Sequence, residues 1–280
     1  MMKKSTDEKN GKSFRVLLFF CSFVLLLLLI SFSIRIVSII SVSKFDGNHR
    51  FTLAVLQNKA QIISFAPDAK TLSVLTLRTS TPNPKHLKRI LHIPIDSSIQ
   101  AVGEKNYLSQ VRNLNGITVM LQRLIFSSTF FQTDMTIIDK IQLWMFVRSL
   151  SPEAFLSDSF TDKSVEKIES ARVDKTVTQL FADQSFSQEN KTIQISNAST
   201  TSGLGSEYAQ ILTNMGGNVI SVTSSHTESD KTTIQYFGEY SYTVKKIEQI
   251  FQKKAKRVKK RLPSDIIIII GEESAIKWFY

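Results

Sequence analysis

The stretch IQISNASTTSGLGSEYAQILTNMGGNVISV, residues 193–222, reads as strand, turn, helix, stop and strand. Thr192 to Ser196 alternates apolar and polar residues, the period of a half-buried strand. Asn197 to Ser202 is a Ser/Thr-rich turn. From Gly203 to Met215 the apolar residues Leu204, Tyr208, Ile211, Leu212 and Met215 return at helical spacing and mark one buried face. Gly216-Gly217 is a helix stop, and Asn218 to Thr223 is a second strand.

Working outward, Ser224 to Lys231 is a polar loop and Thr232 to Phe237 a third strand. A helix is expected from Tyr242 to about Arg257, carrying Val244, Ile247, Ile250 and Phe251. Five isoleucines, Ile266 to Ile270, are too short for a span and read as a fully buried strand. The order β-α-β-β-α-β is that of a small α/β sandwich over residues 191–275.

Upstream, Arg50 to Leu56, Ala60 to Phe65 and Thr71 to Leu77 read as consecutive hairpins, with a turn at Ala66 to Lys70. Thr79 to Pro84 is rich in breakers. Helical spacing follows at Asn106 to Phe126 and at Met135 to Leu150, where Thr133 or Asp134 would be the N-cap and Pro152 the end. Residues 50–156 thus form an α/β unit. Residues 157–190 read as a helical connector, with Val165, Ile168, Val173, Val177, Leu180 and Phe181 at roughly helical spacing.

The start of the chain decides the compartment. Phe14 to Ile34 (FRVLLFFCSFVLLLLLISFSI) carries no charge besides Arg15. As a helix it would be about 32 Å long, enough for a bilayer core. It is longer than a signal-peptide core and lacks an A-x-A site, so an uncleaved single-pass anchor over 14–40 is expected. Lys3, Lys4, Lys9, Lys12 and Arg15 precede it, against Arg35, Lys44 and Arg50 after it. That bias keeps residues 1–13 in the cytosol and puts the bulk outside.

The 280 residues hold 35 Lys plus Arg and 24 Asp plus Glu, a net charge of +11. Cys21 is the one cysteine, which excludes an intrachain disulfide and a cysteine-rich zinc site. His49, His86, His92 and His226 have no metal-ligand spacing, so neither metal nor cofactor is expected. Asn197, Gly203 and Gly205 sit where a strand enters a helix, as in a dinucleotide loop. Tyr208 replaces its third glycine, so a helix start shaped by small residues is the better reading. Lys253 to Arg261 (KKAKRVKKR) is the largest charge feature: Lys253, Lys254, Lys256, Arg257, Lys259, Lys260 and Arg261 make seven cations in nine residues. Outside the cell its partner would be an anionic envelope polymer or lipid headgroups rather than nucleic acid. Cations near a helix end, simply solvated, are the plainer reading.

Three stretches, 193–222, KTTIQYFGEYSYTVKKIEQIF (231–251) and LPSDIIIIIGEE (262–273), resemble the C-terminal domain of the LytR-CpsA-Psr family of bacterial envelope proteins. Asn197, Gly203 and Leu204 match its N-G-T-x-x-G-L-A run, with Ala198 for a Gly. Thr232 or Thr233, Tyr236 and Gly238 match its next strand, and Pro263, Asp265 and Gly271 its closing one. Residues 51–81 and KHLKRILHIPIDSSIQAV (85–102) resemble the start of the family's catalytic domain. In full members an Arg and an Asp handle the pyrophosphate of a lipid-linked glycopolymer. Here Leu77 is followed by Arg78-Thr79-Ser80-Thr81, without the family's Pro-Arg-Asp run, and Arg78 is the one basic candidate. The resemblance therefore implies a reduced relative that binds or organises wall glycopolymer or peptidoglycan without transferring it. A divergent phosphotransferase and a membrane-tethered nucleic-acid-binding regulator are the alternatives. The oligomeric state is open.

Overall fold

The structure is a computed structural model that describes residues 18–31, 42–56, 59–78, 83–101, 111–127, 131–160, 168–225, 227–261 and 263–279. The chain divides into two units, Met1–Lys44 and Phe45–Tyr280. Of the first, residues 18–31 are a helix, α1, with every residue exposed. Among the described residues no helix is long and apolar enough to cross a membrane. The rest of the span expected at 14–40 lies outside the described residues, as do residues 1–13.

The second unit holds two sheets. In the first, β1 (Phe51–Leu56), β2 (Ala60–Ala66) and β3 (Thr71–Leu77) form the expected antiparallel hairpins. To these are added β4 (Ser97–Ala101) and β6 (Phe155–Phe160), which pair in parallel with β1 and β3, and β5 (Phe131–Thr133), antiparallel to β4. The order is β5-β4-β1-β2-β3-β6. The central strands are apolar on both faces because both are covered. Phe51, Leu53, Val55, Ile63, Phe65 and Val74 face α3 (Leu114–Phe126) and α4 (Ile137–Arg148). Ala54, Leu56, Ile62, Leu75 and Leu77 face α2 (Pro84–Leu91) and α5 (Ser170–Phe181).

Several boundaries differ from the sequence reading. Asn83 caps α2 and Pro84 opens it, so the breaker cluster is a helix start. The cap of α4 is Thr136, not Thr133 or Asp134, in a reciprocal capping box with Asp139. The described part of the 106–126 helix starts at Leu114 behind its cap Asn113. Strand β6 crosses residue 156, carrying the first sheet into the stretch read as connector. There α5 and α6 (Gln184–Glu189) are the described helices, and Val165 lies outside the described residues.

The second sheet contains β7 (Thr192–Asn197), β8 (Asn218–Ser224), β9 (Thr233–Phe237) and β11 (Ile266–Ile270), with α7 (Leu204–Asn214) and α8 (Tyr242–Phe251) packed on one face. A short strand, β10 (Lys256–Val258), lies at its edge in the order β10-β9-β11-β7-β8. α9 (Glu272–Phe279) follows β11. Ile266, Ile268 and Ile270 are buried against α7 and α8, while Ile267 and Ile269 are only half-buried. The five-isoleucine strand is therefore not fully buried, because the sheet has helices on one face alone.

A charged seam joins the two sheets. Lys246 Nζ lies 2.9 Å from Asp96 Oδ1, and Asp96 Oδ2 accepts from the Thr52 amide. Lys245 reaches Asp46 at 3.0 Å, and the His49 ring stacks on Tyr242 at 3.9 Å. Opposite, His92 Nε2 lies 2.9 Å from Glu207, and Asn214 Nδ2 donates to the His92 carbonyl. Burial alone would raise the Asp46 carboxyl. Hydrogen bonds from the His49 and Lys245 side chains and from the Asn48 and His49 amides outweigh that and hold it well below the usual range. Glu189 likewise is held down, against its burial, by Thr243, Ser241 and the Tyr242 amide at the start of α8. Both carboxyls bind protons less readily folded than unfolded. Their contribution is complete above the unfolded pKa near 4, begins to fade as pH falls through that value, and is gone once pH falls through the lower folded one. Urea midpoints should therefore drop from about pH 5 to pH 3, and Asp46→Asn should make the drop shallower.

Candidate functional site

The cationic stretch 253–261 has a defined shape. Helix α8 stops at Phe251 because Gln252 takes a left-handed conformation with φ 53°. The chain then folds back around Glu248. Its Oε1 accepts from the Ala255 amide at 2.6 Å, and its Oε2 accepts from Tyr240 Oη at 2.8 Å and Lys254 Nζ at 3.1 Å. Burial works against this carboxylate, yet those bonds hold its pKa below the ordinary value. Thus turned, residues 256–258 run parallel to β9, with Arg257 opposite Tyr236. The helix expected to continue to Arg257 is a turn and an edge strand instead.

That geometry sorts the seven cations. Lys253 pairs with Glu273 at 2.7 Å and Lys254 with Glu248. Lys256, Arg257, Lys259, Lys260 and Arg261 are exposed and, among the described residues, make no ion pair. Arg261 acts only at longer range, helping Lys191 and the Thr192 bonds to lower the Asp265 carboxyl. Beside the strand, a cleft of about 450 Å³ is lined by Tyr240, Lys245, Glu248, Gln249, Gln252, Lys253 and Lys254. Lys245 and Tyr240 are invisible as site residues in the sequence, because only the backward turn at Gln252 brings them beside the basic stretch. Lysines on an edge strand also block sheet-to-sheet pairing. The same five charges present a row of donors to a polyanion, with an attraction that salt would screen.

The other candidate residues are not brought to this edge. Asn197 closes β7 at the end of the sheet opposite Asp265. Its side chain is used internally, donating to the Thr201 carbonyl and accepting from the Ser199 amide and hydroxyl. Glu272 already accepts from the Thr200 amide and hydroxyl. A carboxylate there disfavours a bound anion. Gly203 is the N-cap of α7 at φ 79°. Gly205 serves packing: a Cβ would sit 3.3 Å from Asn197 Cβ and 3.3 Å from Val222 Cγ1. The loop is thus a tightly packed helix start. Arg78 ends β3 with its amide bonded to the Phe160 carbonyl. It is exposed and, among the described residues, makes no ion pair. No three His, Cys, Asp or Glu side chains among the described residues gather as a metal site.

Residues 190–273 match the model of the family described as LytR cell envelope-related transcriptional attenuator. No curated protein matches the chain. Similar solved structures include Bacillus subtilis TagT, at 12% identity over 42% of this chain and 80% of that one, with a TM-score of 0.29. TagT bound to LI-WTA is 14% identical over 49% of this chain and 91% of that one, with a TM-score of 0.33. The LytR-CPS2A-psr family protein YwtF (TagT) with bound octaprenyl pyrophosphate lipid is 14% identical over 42% and 80%, with a TM-score of 0.28.

Proposed function

We propose that this chain, whose residues 190–273 are a domain of the LytR C-terminal family, is a bacterial cell-envelope protein that holds an anionic wall polymer on the basic edge of that domain without transferring it. Residues 1–13 lie in the cytosol, 14–40 anchor the chain in the membrane, and the bulk faces outward. Residues 50–156 serve as a reduced LytR-CpsA-Psr-like domain and 157–190 as the connector to the domain at 191–275. The observation that carries the reading is the row Lys256, Arg257, Lys259, Lys260 and Arg261, exposed on and just beyond an edge strand. The non-catalytic part is supported by Arg78, which stands exposed at a strand end with no carboxylate in ion-pair reach among the described residues.

The test is capture of the purified chain on peptidoglycan sacculi with and without attached anionic polymer. Capture should require the polymer and fall about tenfold or more between roughly 0.05 and 0.5 M salt. Replacing the five exposed cations with Glu should remove it. Salt-insensitive capture on bare sacculi would refute the basic edge as the site. Glycopolymer transfer that Arg78→Ala abolishes would refute the non-catalytic part. Ser202 is exposed, so Ser202→Cys, with Cys21→Ser, should react with an impermeant maleimide in intact cells if the bulk is outside.

A further inference from the structure

We propose that the outer surface of α3 and α4 is a second membrane contact, lying in the headgroup region of the bilayer that holds the anchor; this rests on the anchor reading above. The inner sides of the two helices are ordinary core, with Ile117, Met120, Leu121, Leu124, Leu143 and Val147 buried on the sheet. Their outer sides carry large apolar residues as well, beside the exposed Asn115 and Arg123 on α3 and Arg148 on α4. Ile137 is 42% exposed, Ile141 40% and Met145 60%, at i, i+4 and i+8 along α4. On α3, Val119 is 43% and Phe126 83% exposed. An outward apolar stripe marks a contact surface, and α4 meets protein on one side only.

The charges fit the same partner. The only acid in either helix is Asp139, which is fully buried and engaged by Thr136 and by the Phe45 amide. The exposed charges are Arg123 and Arg148, and the Arg148 guanidinium stands 4.8 Å over the Trp144 ring. Apolar side chains framed by Arg and Trp, with no exposed carboxylate within either helix, suit an anionic lipid surface.

The connection from the apolar run to the second unit is short. The second unit begins at Phe45, whose ring is buried and whose amide donates to Asp139 Oδ1 at 2.9 Å, in the first turn of α4. The apolar run ends at Ile34. The intervening residues reach at most about 40 Å when extended. The chain therefore enters the second unit at the very helix whose outer stripe starts with Ile137.

The test uses the full chain with Cys21→Ser, reconstituted in phosphatidylglycerol/phosphatidylcholine vesicles and carrying an environment-sensitive fluorophore at Met145→Cys, at Phe126→Cys or, for comparison, at Ser202→Cys. The labels at 145 and 126 should be quenched by headgroup nitroxide lipids and be about fivefold less accessible to iodide than the label at 202. Equal iodide access at all three sites, in a chain that resists carbonate extraction, would overturn the contact while leaving the anchor standing. Carbonate extraction of the chain would remove the anchor reading and this inference together. Iodide protection that grows with protein concentration and persists in detergent, without nitroxide quenching, would mark a contact between copies and also overturn it.

Discussion

Gly271→Ala should destabilise the second sheet by roughly 3 kcal/mol, the upper range for a methyl forced into a closed site. A Cβ at Gly271 would lie 2.5 Å from the carbonyl carbon of Lys231, 2.6 Å from its oxygen and 2.7 Å from its nitrogen. These are backbone atoms, so no side chain can swing aside. Nor can the Lys231 segment move, because it is bonded on both flanks. The Gly271 amide donates to Thr232 Oγ1, the Thr232 amide to Glu273 Oε1, and the Glu272 and Glu273 amides to the Ser229 and Asp230 carbonyls. The contrast is Gly238, which holds φ 91° with nothing within 4 Å of a Cβ. Gly238→Ala meets only conformational strain and should cost about 1–2 kcal/mol. Urea melts of the two variants separate the causes. A Gly271→Ala chain as stable as the parent would show that the strand–helix junction after β11 has slack.

These two glycines are visible in the sequence as motif positions, but the reasons for them are not. Periodicity carries β7, α7, β9 and α8, whose apolar faces repeat, while β-branched runs carry β8 and β11. It fails at β10, where Lys256 to Val258 has no apolar face and becomes a strand only because Gln252 and Glu248 turn the chain onto β9. It fails at β6 for a related reason: FLSDSF is exposed at four central positions, and only its parallel pairing with β3 makes it a strand. At α2 the signal is present, Asn83 before Pro84, but a capped helix start shares its residue types with a break. Among the site residues, the seven cations are plain as charge. Which five of them stay exposed and without an ion pair depends on Glu248 and Glu273, on α8 and α9. The seam between the sheets is beyond any local pattern, since its partners lie as far apart as Asp46 and Lys245.

Asp183→Ala should be the most damaging single change in that seam, at roughly 3–5 kcal/mol, the range for removing one partner from a buried charged network. Asp183 is fully buried. Its Oδ1 caps α6 by accepting from the Phe186 amide at 3.0 Å, and its Oδ2 accepts from Tyr242 Oη at 2.6 Å. It also faces Arg50, whose guanidinium donates to Ser64 and to the Leu180 carbonyl. Burial pushes the Arg50 pKa down, and the charges of Asp183 and Asp68 oppose that push. Without Asp183 the helix loses its cap, a half-buried phenol loses its acceptor, and a half-buried cation loses a counter-charge. Asp183→Asn keeps one oxygen, for the cap, but places an NH2 that cannot accept from the phenol at the other position and drops the charge, so it should cost about 2 kcal/mol. Tyr242→Phe should cost about 1 kcal/mol, and less than that in the Asp183→Ala background, because the two side chains share one bond. Arg50 leads into β1 of the first sheet and Tyr242 opens α8 on the second, with Asp183 between them. The parent should therefore unfold in one transition and the Asp183→Ala variant in two, read by urea melts with separate probes in each sheet. Additive effects of the two substitutions, or a single unshifted transition, would show that the sheets are held together elsewhere along the seam, by Lys246 and Asp96 or by His92 and Glu207.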